Sequence, residues 1–279
     1  MKLKSPAKLN LTLNITGKRS DGYHQIETIM QTISLADEVI LTPSSGVAIQ
    51  TNMPYIPNDD RNIAYRAAKL FFEKARISGG VDIKINKKIP VGAGMGGGSS
   101  NAATVLYGLN AMHKSPFSKS QLEEIGLKLG ADVPYFFTKG CCLATGLGEA
   151  LTPIKSTARA WVVIVKPPFS ISTKWAYQKL NPLFFKKSDA TDKMAHALQS
   201  GNINGIADNL YNIFELSTSL FYPQITNITN TLAKNGALGA AMTGSGSAVF
   251  GIFENTTAAQ KCAAVVNKLY KTVFIAFFE

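Results

Sequence analysis

The stretch PVGAGMGGGSSNAA, residues 90–103, places five glycines between positions 92 and 98. Each glycine costs ordering entropy, so a cluster this dense needs a reason in backbone geometry. Ahead of it Val81, Ile83 and Ile85 alternate as a strand does. Behind it Ala102, Ala103, Leu106 and Leu109 recur at helical spacing over 99–112. Glycines at a strand-to-helix junction let backbone N–H groups converge on an anion, and the unpaired donors and dipole of the helix start add to the attraction. Serines there can cap the helix, contact Mg2+ or hydrogen-bond a phosphate, while Ala102 and Ala103 keep the first turn slim. The plainer alternative is a tight turn with no ligand. Five glycines followed by Ser-Ser-Asn in this setting favour phosphate.

Several phosphate loops compete for that reading. A Walker A loop needs a lysine and then Ser or Thr after its last glycine, and Gly98-Ser99 supplies no lysine. Gly92-x-Gly94-x-x-Gly97 matches a dinucleotide fingerprint formally, which keeps a Rossmann oxidoreductase as a rival. Its context is wrong, because the preceding strand is lysine-rich and about 20 residues on stands His113-Lys114-Ser115-Pro116 without an acidic residue. A protein-kinase glycine loop fails for want of the VAIK, HRD and DFG elements.

The 279 residues suffice for a large core and for two domains of ordinary size. A hydrophobic fraction of 46% with 17% charged residues belongs to a globular protein rather than a disordered one. No apolar run approaches the ~20 residues that span a bilayer. The start MKLKSPAKLN has lysines without an apolar stretch behind them, so no signal peptide is expected. Three cysteines, Cys141 and Cys142 adjacent, make no CxxC pair or disulfide framework, and a cytoplasmic location is expected. Three scattered histidines argue against a transition-metal site, and His113 and His196 read as ordinary helix residues. A net charge of +11 favours anionic partners, but the basic residues are scattered, with pairs only at Lys18-Arg19, Lys87-Lys88 and Lys186-Lys187. Neither a long basic run nor an RNA-binding aromatic signature is present, so no nucleic acid and no membrane partner is expected.

Along the chain, Leu9, Leu11, Leu13 and Ile15 alternate with Lys8, Asn10, Thr12 and Asn14, the pattern of a half-buried strand. A turn at 17–22 and extended chain over 23–41 make it a hairpin. Helices are expected over 62–76 and 120–129, the second opened by a capping box, Ser120-x-x-Glu123, and closed by Gly130. Beyond residue 155 come a buried strand at 161–165 and helical stretches over 173–180, 190–199, 204–214 and 223–234. Two short strands around a second glycine cluster, a helix over 257–270 and a strand over 272–278 follow. That order is a split βαβ arrangement of the ferredoxin-like kind.

Three segments carry a resemblance. Ser5-Pro6-Ala7-Lys8-Leu9-Asn10-Leu11, the stretch 90–103, and Met242-Thr243-Gly244-Ser245-Gly246-Ser247-Ala248 resemble, in order and spacing, the three motifs of the GHMP kinase superfamily. Arg19-Ser20-Asp21-Gly22-Tyr23-His24 and Gly130-Ala131-Asp132-Val133-Pro134 are similar to segments of its branch that acts on a cytidine diphosphate conjugate. The resemblance implies an α+β, two-domain GHMP kinase fold. Its ribosomal-S5-like N-terminal domain would take residues 1–155 and a ferredoxin-like C-terminal domain residues 156–279. It also implies an ATP- and Mg2+-dependent kinase with an alcohol group as acceptor, monomeric or weakly homodimeric.

By the same resemblance, Asp132 is the base that takes the proton of the attacking hydroxyl, and Lys8 pairs with it and stabilises charge on the transferring phosphoryl group. ATP phosphates are expected on Pro90, Gly92, Gly94, Gly96, Gly97, Gly98, Ser99, Ser100 and Asn101, with Gly244 and Ser245 approaching from the C-terminal side. Ser99 and Ser100 both stand as contacts for Mg2+. On the substrate side are Asn10, Tyr23, His24, Thr173 and Tyr177. His24 would bond a cytosine edge, Tyr23 would stack on its ring, and Tyr177, with Trp175 close by, is the second stacking aromatic. Read without the resemblance, Asp132 is a turn aspartate past a helix end, Lys8 a solvated strand lysine and Tyr23-His24 a surface pair. Rival readings are a homoserine or mevalonate kinase, and a non-catalytic ligand-binding module on the same fold.

Overall fold

The computed structural model describes residues 1–185 and 188–279; the Lys186-Lys187 pair lies outside the described residues. In chain order the first elements are β1 (Lys2–Lys18), β2 (His24–Ser44), β3 (Val47–Thr51), α1 (Ile63–Ala75), β4 (Gly80–Asn86), α2 (Gly97–Met112), α3 (Lys119–Leu127) and α4 (Tyr135–Thr138). Then follow β5 (Cys141–Gly146), β6 (Ala150–Ile154), β7 (Trp161–Val165), α5 (Thr173–Gln178), α6 (Ala190–Ser200), α7 (Ile203–Asp208) and β8 (Tyr211–Asn212). The chain closes with α8 (Glu215–Phe221), α9 (Gln224–Lys234), β9 (Gly239–Met242), β10 (Val249–Phe253), α10 (Thr256–Val266) and β11 (Val273–Phe277). By internal contacts the residues divide into two units. The first comprises Met1–Ala7, Ala36–Ile89 and Gly96–Lys139, the second Lys8–Leu35, Pro90–Met95 and Gly140–Glu279. These units interleave along the chain, and the 155/156 boundary expected from sequence falls inside the second, between β6 and β7.

In the first unit β4 is central, antiparallel to β2 (Leu41 opposite Ile83) and parallel to β3 (Ile49 opposite Ile83). Asn62 caps α1 by accepting from the Ala64 N–H, and Ala64, Ala67, Ala68, Phe71 and Phe72 form its buried face. Burying one side chain the size of Phe71 stabilises by about 1.5–3 kcal/mol, and this face packs on α2. Helix α2 is buried over most of its surface, from Ser100 to Asn110 with only Tyr107 exposed. A helix of that kind is held by its surroundings rather than by an amphipathic stripe. The capping box of α3 lies two residues earlier than expected. Ser118 accepts from the Gln121 N–H, and the Gln121 side chain accepts from the Ser118 N–H. Glutamine serves there as well as glutamate, and the Ser120-Glu123 pair is not used.

In the second unit β7, β9, β10 and β11 form an antiparallel sheet in the order β11-β7-β10-β9. With α9 and α10 packed against it, this is the ferredoxin-like split βαβ order read from the sequence. Its core joins Val163, Val165, Ile228, Leu232, Val249, Phe253, Cys262 and Val266. The same unit holds the hairpin part of β1 and β2, with β5 antiparallel to β2, β6 to β5, and the two-residue β8 parallel to β1.

Two expectations need correction here, and three strands were not expected at all. The polar face of β1 is not solvated: Lys8, Asn10, Thr12 and Asn14 are all at most 4% exposed. The helix expected over 204–214 ends at Asp208, because Tyr211 and Asn212 pair with β1, and a separate helix, α8, follows. Strands β3, β5 and β6 had no sequence counterpart, being five or six residues long with weak alternation.

Candidate active site

Within the second unit the three motif segments meet. The Lys8 N–H donates to the Met95 carbonyl at 3.1 Å, and the Ala248 N–H to the Ala93 carbonyl at 3.3 Å. The Asn10 N–H donates to Thr243 Oγ1 at 2.9 Å. Gly94 lies so close to the 243–246 turn that a Cβ built on it would stand 2.2 Å from the Thr243 carbonyl oxygen. Its φ of +75° is also one that side chains rarely adopt. On the polar face of β1, Lys8 Nζ donates to Asn10 Oδ1, and Asn10 Nδ2 to Thr28 Oγ1 at 2.8 Å. At 4% exposure Lys8 is a buried lysine and not a solvated strand lysine.

The turn at 242–244 is held by residues that the sequence reading missed. Asn212 Nδ2 donates to the carbonyls of Met242 (2.7 Å) and Gly244 (2.8 Å), while its Oδ1 accepts from the Phe214 N–H at 3.0 Å. Glu215 Oε1 accepts from the Met242 N–H, and burial pushes its carboxyl up to about 7. Asn-x-x-Glu directly before a helix was the available signal, but nothing local ties it to a turn 30 residues away. Ser245 bonds Thr173 at 2.9 Å, which joins two of the expected site residues at the start of α5.

Two of the expected substrate-side residues, His24 and Tyr177, come together in the second unit. His24 stacks on Tyr177, with ring centroids 5.2 Å apart and planes at 28°. Phe185, missed from sequence, meets the His24 ring edge-on at 5.5 Å. Burial and then the Lys18 charge lower the His24 pKa below the ordinary imidazole value, so the ring is neutral at pH 7. Tyr23 is 64% exposed, its N–H donating to Asp21 Oδ1. Trp175 is turned elsewhere, edge-on to Phe221 and Tyr222.

In the first unit α2 begins at Gly97 with Gly96 as N-cap, at φ +69°, and no side chain caps it. Its first N–H groups are the donors that an anion would take. Ser99 is half-buried, whereas Ser100 is fully buried with its hydroxyl 2.8 Å from that of Ser5. Asn101 also points inward, donating to Ser5 Oγ (2.8 Å) and Asp37 Oδ2 (2.9 Å). Of the two serines, Ser99 is the one with an open side. Asp132 is half-buried in the short turn between α3 and α4, where the Val133 N–H donates to the Gly130 carbonyl at 3.1 Å. Among the described residues no group of three or more His, Cys, Asp or Glu is placed to hold a metal. No described helix is long and apolar enough to cross a membrane.

The uncapped, glycine-rich helix start and the split βαβ sheet are the parts that the resemblance to small-molecule kinases of the GHMP class leads one to expect. Family models bear this out: "GHMP kinases N terminal domain" matches residues 62–140 and "GHMP kinases C terminal" residues 194–272. The 4-diphosphocytidyl-2-C-methyl-D-erythritol kinase of Clostridium beijerinckii is 43% identical over 278 residues, covering 99% of each chain. That of Alkaliphilus metalliredigens is 42% identical over 273 residues, covering 97% of this chain and 94% of its own. A crystal structure of 4-(cytidine 5'-diphospho)-2C-methyl-D-erythritol kinase superposes with a TM-score of 0.88 at 34% identity, covering 100% of this chain and 99% of the other. Homoserine kinase from Cytophaga hutchinsonii, at 19% identity and a TM-score of 0.79 over 99% and 94% of the two chains, shares the fold. The chain belongs to the 4-diphosphocytidyl-2-C-methyl-D-erythritol kinase family, and kinases of the GHMP class use ATP.

Proposed function

We propose that the chain transfers the γ-phosphoryl group of ATP to the 2-hydroxyl of 4-diphosphocytidyl-2-C-methyl-D-erythritol, a step toward isoprenoid precursors by the non-mevalonate route. The observation that carries the choice of substrate is the His24–Tyr177 stack. A flat ring with a hydrogen-bonding edge beside an aromatic face suits a pyrimidine, and homoserine or mevalonate offers nothing for it to read. A neutral His24 can donate from one ring nitrogen and accept at the other, as a cytosine edge requires. Exposed Tyr23 would cover the base from the far side, and Thr173 would bind nearby.

ATP phosphates would lie on the uncapped start of α2, at Gly96, Gly97, Gly98 and Ser99, continuing the loop from Pro90, Gly92 and Gly94, and by the family resemblance Gly244 and Ser245 would join them. Ser99, the less buried of the two serines, would contribute a hydroxyl to Mg2+, which supplies neutralisation of phosphate charge. Asp132 would take the proton of the 2-hydroxyl, and Lys8 would stabilise the phosphoryl oxygens. Deprotonating an alcohol by a carboxylate is uphill, so positioning and electrostatics carry much of the rate. A domain boundary near residue 155 belongs to the same reading, since the two matched family models lie on either side of it. A cytoplasmic monomer or weak homodimer, without nucleic-acid or membrane partners, fits an enzyme acting on two small anions.

The test is ADP release with ATP and Mg2+ against the cytidyl substrate, homoserine and mevalonate in parallel. ADP with the first alone is the expected result. No ADP with the cytidyl substrate overturns the reading, and ADP with another reassigns the acceptor.

A further inference from the structure

One buried carboxylate in the first unit ties together the two ends of the glycine loop. Asp37, its side chain fully buried on β2, accepts from the N–H groups of Lys88 (2.7 Å) and Ile89 (2.8 Å) through Oδ1. These residues lead into the loop. Through Oδ2 it accepts from Asn101 Nδ2 at 2.9 Å and from Lys87 Nζ. Asn101 belongs to the first turns of α2, where the loop ends. Lys87 Nζ also donates to Asn101 Oδ1 at 3.0 Å, so the ammonium bridges both sides. Ser5 extends the network to β1, accepting from Asn101 Nδ2 and bonding Ser100, three residues before Lys8 in the same strand.

We propose that Asp37 and Lys87 are positioning residues of the phosphate site. Together they set the distance and angle between the chain entering the loop and the helix leaving it, and so hold the loop N–H groups in their anion-binding arrangement. The Lys87 ammonium, with its side chain 6% exposed, lies directly beneath the first turn of α2; a Cβ on Gly97 would stand 3.2 Å from it. A buried ion pair is a weak source of stability, because desolvation offsets most of the attraction, but it fixes geometry where every donor is satisfied. Here one carboxylate takes four donors drawn from both ends of a single loop. The inference rests on the reading that ATP phosphates occupy the loop.

The experiment measures KM for ATP and for the cytidyl substrate in Lys87→Met, Asp37→Asn and Ser5→Ala. Leu122→Ala, a core change in α3 away from the loop, serves as a control for stability loss. Positioning predicts that KM for ATP rises at least tenfold in Lys87→Met and Asp37→Asn and two- to fivefold in Ser5→Ala, with KM for the alcohol substrate unchanged. Leu122→Ala should lower Tm without moving either KM. A folded Lys87→Met or Asp37→Asn whose KM for ATP stays within twofold of the parent overturns the proposal, as does an equal rise in both KM values. Should both charge variants fail to fold, Ser5→Ala decides by the same split. A parent protein that shows no saturation by ATP refutes the loop's role instead, so the two failures are separable.

Discussion

Gly94→Ala is the sharpest perturbation of the site, because its cost can be worked from geometry. The native φ of +75° penalises any side chain there by about 1–2 kcal/mol. The added Cβ would stand 2.2 Å from the Thr243 carbonyl oxygen and 3.2 Å from the Gly246 nitrogen. Both are backbone atoms, so no rotamer change relieves the contact, and the loop or the 243–246 turn must move by roughly 1 Å. Overpacking of that kind costs a further ~1–3 kcal/mol, for a total of about 2–5 kcal/mol. A shift of 1 Å in a positioning loop lowers activity by about 10²-fold. Gly98→Ala is the matched control. That methyl meets only Ile63 Cγ2, at the ordinary distance of 3.5 Å, and replaces a helical glycine, so stability should hold or rise by about 0.5–1 kcal/mol. Thermal unfolding and ADP-release kinetics measure both variants. Gly94→Ala with the parent Tm and kcat/KM within threefold would refute the close approach of loop and turn. A lower Tm in Gly98→Ala would refute the packing assigned to α2.

Three further outcomes are expected. Asp132→Asn and Lys8→Ala should each lower turnover by about a hundredfold or more while ATP binding, followed by calorimetry, stays within a few-fold; near-parent turnover removes the residue from the mechanism. Asn212→Ala strands the Met242 and Gly244 carbonyls and should cost about 2–4 kcal/mol in denaturant unfolding, with kcat/KM falling as the turn loosens. Glu215 holds its proton up to about 7 in the folded chain against 4.5 when unfolded. Its contribution to stability is therefore full below pH 4.5 and is lost as pH rises through 7, on the order of 3 kcal/mol. Glu215→Gln should flatten that decline and leave the variant more stable than the parent at pH 8; equal pH slopes in urea unfolding sink the assignment.

Much of the fold could be read because its signals are local. Leu9 to Ile15 alternate, Ile63 to Phe71 recur at helical spacing, and the order strand, helices, strand, strand, helix, strand after residue 155 is that of the observed β11-β7-β10-β9 sheet. Tyr177 was singled out by resemblance for its place after Ser170-Ile171-Ser172-Thr173, and the structure sets its ring beside His24. What stayed hidden depends on partners far along the chain. The α3 cap shifted because Ser118 and Ser120 are equivalent in sequence and only the Gln121 side chain chooses between them. Residues 209–214 read as helix until Asn212 pairs with β1 and clamps a turn 30 residues on.

By itself the sequence determined the chemistry on offer: a glycine-dense strand-to-helix junction that excludes a Walker lysine, three motifs in GHMP order, and an aromatic–imidazole pair fit for a base. Tertiary structure alone decided which of those residues face inward. Ser99 and Ser100 are chemically the same, yet Ser5 draws one hydroxyl into the interior and leaves the other half-open. Lys87 and Lys88 stand in the sequence only as one of three short basic pairs, yet Asp37, 50 residues upstream, buries the first and takes a backbone N–H from the second. Periodicity encodes which face of an element is apolar. It cannot encode which polar group on that face has a partner waiting, because that depends on contacts across sequence separations no local pattern records.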